Sequence, residues 1–182
     1  NAGNACILAT VLSRRGSAPR GVGTGMVVSC TGEQVGTVGG GSMEFRVKQD
    51  ALALLKRQES SVKEYEIHAD EKDVYSGGVT ILFRVFVDEF SRALVGQMRA
   101  ALEQQTEAYL VCEISNGYPG DSRVLSSTEL QKTCGISCPP EQPMLIETEP
   151  RWLVEPLRES QRVILFGGGH VAQCMARQLV LL

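Results

Sequence analysis

The sequence predicts an α/β protein, and three observations carry that prediction. Short apolar runs rich in β-branched residues recur between polar turns. Two stretches repeat their apolar residues at helical spacing. The last stretch, VILFGGGHVAQCMARQL, reads as strand, glycine turn and helix in succession. The layout expected is an N-terminal mixed α/β domain with a linker over residues 1–150, then the first β-α element of a C-terminal domain over residues 151–182.

The elements follow in chain order. Cys6–Ser13 is a short apolar run and reads as a buried strand, whereas Arg14–Gly25 (RRGSAPRGVGTG) has no periodicity and reads as a loop. Met26–Cys30 and Gln34–Val38 flank a Thr-Gly-Glu turn and form a hairpin. Gly39-Gly40-Gly41-Ser42 then breaks the pattern. A helix is expected from Met43 to Gln58, with Met43, Val47, Ala51, Leu54 and Leu55 on one face and Arg46, Lys48, Gln49 and Asp50 on the wetter side. Ser42 suits its N-cap, and Glu44 suits the positive end of its dipole.

Val62–His68 alternates as a strand with one wet face, and His68 reads as a surface residue beside Glu64 and Glu66. Val79–Val87 is apolar on both faces and is therefore placed inside a sheet. Ser91–Gln105 is a second amphipathic helix and Glu107–Ile114 another strand. Ser115–Pro150 carries turn and linker signals, Arg151–Pro156 one more strand, and Arg162–Phe166 the strand that precedes the final glycine turn. From His170 onward Val171, Ala172, Met175, Ala176 and Leu179 lie on one helical stripe.

Composition narrows the function classes. With 182 residues and a net charge of −3, the chain has room for a good core and lacks the basic face of a nucleic-acid binder. No apolar run approaches the ~18 residues of a membrane helix, and no secretory signal is recognisable. Cys6, Cys30 and Cys112 lie in or at the ends of apolar strand runs, where a thiol behaves as a small hydrophobe. A reduced, cytoplasmic protein is expected. Cys134 and Cys138 form a CxxxC without a second pair or a histidine cluster, so no metal site is assigned.

Three glycine-rich segments can carry chemistry. Gly167-x-Gly169-x-x-Ala172 has the spacing and the strand–turn–helix context of the Rossmann dinucleotide fingerprint. Gly167 permits the tight turn, Gly169 lets a phosphate approach the backbone, and NAD(P) is the ligand such a turn suits; a glycine turn that binds nothing is the alternative. His170 opens the helix beside it. In the first domain Arg14, Arg15 and Arg20 stand among Gly16, Ser17 and other small residues, which is the chemistry of an oxyanion site or of a solvated loop. Gly39, Gly40, Gly41 and Ser42 put a helix N-terminus behind an approachable backbone. The Glu44 carboxylate opposes phosphate there and suits a loop N–H or a heterocycle. Tyr75-Ser76-Gly77-Gly78 precedes the strongest strand, where adjacent glycines let the backbone bend or meet something closely. Ser76 has no visible His/Asp pairing and is not read as a nucleophile.

GSAPR at Gly16–Arg20, GGGSME at Gly39–Glu44, SGGVTILF from Ser76, and GGGHVA at Gly167–Ala172, in that order, resemble the xanthine dehydrogenase accessory factor family of the XdhC/CoxI type. The resemblance implies a C-terminal Rossmann-like domain and a cofactor chaperone with no turnover of its own. Such a chaperone binds the molybdenum–pterin cofactor, assists its sulfuration and delivers it to a molybdenum hydroxylase apoenzyme. It further implies a cysteine desulfurase as partner and self-association. In this reading Arg14, Arg15 and Arg20 hold phosphate, the Gly39–Ser42 turn admits the pterin, and Glu44 orients it. Ser76 stands where the family usually has cysteine, and a hydroxyl cannot replace a thiol as a soft ligand. Two other classes stay open: a nicotinamide-dependent oxidoreductase, and a diverged scaffold that keeps only a partner surface.

Overall fold

The structure, a computed structural model, describes residues 5–16, 20–67, 77–158 and 165–179. The strands are β1 (Cys6–Arg15), β2 (Gly25–Ser29), β3 (Gln34–Gly36), β4 (Ser61–Ile67), β5 (Gly77–Phe86), β6 (Ala108–Ser115), β7 (Tyr118–Ser126), β8 (Met144–Ile146) and β9 (Arg151–Leu157). The helices are α1 (Gly41–Arg57), α2 (Glu89–Glu103), α3 (Ser127–Cys134) and α4 (His170–Leu179). Two antiparallel sheets form, in the orders β3-β2-β1-β5-β4 and β7-β6-β9-β8.

Side-chain alternation along each strand builds the layers. Ile7, Ala9, Val11, Ile81 and Phe83 leave one face of the first sheet and pack under Met43, Val47 and Ala51 of α1. Leu12 and Leu82 leave the other face and meet Cys112, Ile114 and Leu153 of the second sheet. The far face of the second sheet buries Tyr109, Val111, Trp152 and Val154 under Leu130 and Cys134 of α3. The order is thus helix, sheet, sheet, helix. α2 runs along the side, touching β5 in one sheet and β6, β7 and β9 in the other. A fully buried side chain such as Phe83 contributes about 1.5–3 kcal/mol.

Several expectations are corrected. Arg14 and Arg15 belong to β1, not to a loop, because a bulge at Leu12 restores the ladder and pairs Arg14 with Val79 and Arg15 with Gly78. The N-cap of α1 is Gly40, at φ 79°, and Ser42 lies inside the helix. The 115–150 segment is structured: β7 pairs with β6, β8 with β9, and Ser126 and Glu129 form a capping box that starts α3. Asn116-Gly117 closes β7 onto β6 and residues 147–150 join β8 to β9, so these turn residues connect hairpins and do not form a linker. β9 lies between β6 and β8, so residues on both sides of position 150 share one sheet. Cys30 is exposed in the turn after β2, whereas Cys112 is buried.

The strand expected at Arg162–Phe166 falls mainly outside the described residues. Leu165 and Phe166 are not in a strand, and Phe166 is 94% exposed. Val171 and Met175, expected on an apolar stripe of α4, are exposed. Ser126→Ala removes the α3 cap and is expected to lower the thermal midpoint by about 2–4 °C, read by circular dichroism.

Candidate functional site

The glycine turn before α1 is organised by one carboxylate. Glu44 Oε2 accepts from the Thr37 hydroxyl, from Val38 N at 3.0 Å and from Gly40 N at 3.1 Å, while Oε1 accepts from Gln34 Nε2 at 2.9 Å. Gly39 N adds a bond to Thr37 Oγ1 at 3.2 Å. The Thr37 hydroxyl, followed by Gln34 and the two amides, holds the Glu44 carboxyl down at about 2 against the opposing effect of burial. Of the two partners expected for Glu44, the loop N–H is the one met here. The carboxylate is spent on loop donors and has little acceptor capacity left to orient a heterocycle.

Gly40 and Gly41 have φ of 79° and 64°, and a Cβ at either would meet nothing within 4 Å. The left-handed backbone, not lack of room, requires glycine there. The outer side of the turn, with Gly41 and Ser42 exposed, is open to approach.

The second part of the site lies at the end of the first sheet. Arg14 and Arg15 are consecutive strand residues, so they project to opposite faces. Both nonetheless border one cavity of about 140 Å³, together with Glu64, Glu66, Gly78 and Thr80. In register across β1, β5 and β4, Arg15 stands beside Gly78 and Gly78 beside Glu66. A Cβ on Gly78 would lie 3.2 Å from Arg15 Nη2 and 3.4 Å from Nε. The thing that approaches this glycine is therefore the Arg15 guanidinium, laid across its bare face. Ser13 Oγ donates to Thr80 Oγ1 at 3.0 Å beneath it.

Arg14, Arg15, Gly77 and Gly78 are thus brought together, and Gly39, Gly40, Gly41, Ser42 and Glu44 form a separate group. Arg20 is exposed, in the loop whose Gly23 packs on Pro143. Ser17, His68 and Ser76 lie outside the described residues. Gly16 is exposed at φ 62° directly after Arg15.

Sequence reasoning passed over a cluster that joins α1 to β4. Asp50 accepts from Lys63 Nζ at 2.8 Å and from the Tyr65 hydroxyl at 2.5 Å. Burial opposes its ionisation, but the Lys63 and Tyr65 bonds outweigh that and hold Asp50 below its usual range. Burial, then Asp50, pushes the Tyr65 phenol far up. The alternation of β4 and the helical spacing of Arg46 and Asp50 were the available signal, but only packing pairs them.

At the third glycine segment, Gly167 has φ 104° and Gly167, Gly169 and His170 are exposed. Gln173 ties the turn to α4, its Nε2 donating to Gly168 O at 3.0 Å and its N to Gly169 O at 3.1 Å. Among the described residues no three of His, Cys, Asp and Glu gather to hold a metal, and no helix is long and apolar enough to cross a membrane.

Comparison with known proteins bears on this geometry. Residues 1–66 match the model of the XdhC and CoxI family, a segment that holds the GSAPR and GGGSME motifs, α1 and most of β4. No curated protein matches the chain. A solved structure described as a xanthine dehydrogenase from Bacillus halodurans, at 2.80 Å, superposes with a TM-score of 0.60 and 18% identity. The match covers 69% of this chain and 39% of that one, and at such identity it speaks for the fold alone.

Proposed function

Because the N-terminal segment of the chain matches the XdhC and CoxI family, we propose that this protein is a maturation factor for a molybdenum hydroxylase such as xanthine dehydrogenase. In this reading it binds the molybdenum–pterin cofactor, assists its sulfuration and passes it to the apoenzyme in the cytoplasm. A cysteine desulfurase is its second partner, and copies of the chain associate. The observation that carries the proposal is the Arg15 guanidinium lying across Gly78 at the rim of the Arg14–Arg15 cavity.

The residues fit one end of such a cofactor. A cavity of about 140 Å³ bordered by Arg14 and Arg15 suits a phosphate and is too small for a whole pterin. Arg14 and Arg15 would hold the phosphate, with Arg20 joining through its loop. The open backbone of Gly39–Gly41 and Ser42 would meet the heterocycle edge. Glu44 keeps that turn in shape without touching the ligand, and Gly77 and Gly78 leave room for Arg15. When bound, the cofactor supplies the metal and its sulfur ligand. The chain's own residues only bind and orient it. Ser76 offers no soft ligand to that metal.

Gly167, Gly169 and His170 support a second reading, in which the positive-φ turn into α4 receives the phosphates of NAD(P).

The test is to express the chain in a host that makes the cofactor, oxidise the purified protein with acid and iodine, and record pterin fluorescence alongside molybdenum content. Pterin is expected, and Arg15→Ala is expected to lower its retention at least ~10-fold, the effect of losing one charge-assisted contact. Absence of pterin together with saturable NAD(H) binding would overturn the proposal.

A further inference from the structure

One helix touches the support of both groups of site residues, the glycine turn before α1 and the Arg15–Gly78 face. Glu44 in the first turns of α1 holds the glycine turn through its carboxylate. Arg46, two residues on, reaches the other way. Its Nη2 donates to Glu66 O at 2.9 Å, and its Cζ stands 5.9 Å from the centre of the Tyr65 ring. Tyr65 is in turn fixed by Asp50 one helical turn further along α1.

Glu66 is the register partner of Gly78, and Gly78 is the register partner of Arg15. We infer that Arg46 is a positioning residue, which through Glu66 holds the last rungs of the β4–β5 ladder and so keeps the Gly78 face flat under Arg15. It does this without lining the cavity itself. β4 is an edge strand, with no neighbour on its outer side among the described strands, and Glu66 and Ile67 are its last residues. A strand end of that kind frays unless a side chain ties it down. A guanidinium suits the task because its planar fork can donate to a carbonyl while its face lies near an aromatic ring.

The role assigned to Arg46 rests on the site reading above only for its functional consequence, and the experiment separates the two. Residue-resolved amide hydrogen exchange of the whole chain is compared for the wild type, Arg46→Ala, Arg46→Lys and, as a control on the exposed side of α1, Gln49→Ala. Arg46→Ala is expected to speed exchange of the Gly77 and Gly78 amides about fivefold, the loss of roughly one hydrogen bond, while Leu82 and Phe83 at the far end of the ladder stay unchanged. Arg46→Lys, which keeps a donor for the Glu66 carbonyl, is expected to restore most of the protection. Gln49→Ala should behave as the wild type. Pterin retention by Arg46→Ala should fall severalfold in parallel. Unchanged exchange at Gly77 and Gly78 would overturn the tether. Accelerated exchange with unchanged pterin retention would leave the tether standing and overturn the placement of the cofactor at Arg15.

Discussion

Replacing Glu155 by alanine is expected to destabilise the fold by about 3–5 kcal/mol, read as a fall in the urea midpoint at constant slope. Arg84 of β5 and Glu155 of β9 face each other between the two sheets, with Nη2 and Oε2 2.6 Å apart and side chains only 4% and 14% exposed. Arg84 Nη2 also donates to Thr10 Oγ1 at 2.9 Å, but Nε and Nη1 have no hydrogen-bond partner among the described residues. The Glu155 oxygen nearest the guanidinium makes no well-aligned hydrogen bond despite its closeness. Coulomb attraction, not hydrogen-bond geometry, therefore balances most of the desolvation of the two charges. Alanine at 155 removes that attraction and leaves a buried cation with two bare donors. Replacing both partners, Arg84→Met with Glu155→Leu, should restore wild-type stability or exceed it, because apolar side chains of similar size have no charge to desolvate. A single-variant cost under ~1 kcal/mol would mean that the pair is hydrated and does not hold the sheets together.

Glu44→Ala is expected to cost about 2–3 kcal/mol, because it strips a shared acceptor from Gln34, Thr37, Val38 and Gly40 at once. The wild type should also lose this contribution on acidification. Glu44 is held at about 2 in the folded chain against an ordinary value of 4.5. A depressed carboxyl stabilises the fold above its unfolded pKa, and that stabilisation drains away as pH falls from about 4.5 toward 2. Glu44→Gln keeps one acceptor and no charge, so its stability should change less over the same range. Urea titrations at pH 6 and about pH 3 compare the two, since the loss is well under way by the lower pH. A wild-type curve parallel to that of Glu44→Gln would show that the carboxylate does not govern the turn.

Legibility differed from element to element for physical reasons. The faces of α1 were readable because Met43, Val47, Ala51, Leu54 and Leu55 recur at helical spacing, and all five are buried. β5 was readable as interior because both its faces are apolar, and it lies between β1 and β4. Turn-rich composition misled over 115–150, where β7 and β8 exist only by virtue of β6 and β9. The N-cap was misplaced for a related reason. Ser42 has the right chemistry, but the helix already begins at Gly41, and Glu44 inside it accepts from the Val38 and Gly40 amides that precede the first turn.

From the residues alone came the periodicities, the glycine positions and the order of the GSAPR, GGGSME and GGGHVA motifs. They were enough to establish an α/β class and a resemblance that the family match over residues 1–66 supports for GSAPR and GGGSME. Whether Arg14 and Arg15 stand in a loop or a strand, whether Glu44 faces a ligand or its own turn, and what approaches Gly78 were decided by tertiary structure. The setting of the two arginines and of Gly78 depends on which strand lies alongside, and strand register is set by burial and pairing between segments tens of residues apart. Local sequence cannot encode that choice, because the competing partners differ only once the sheets are assembled.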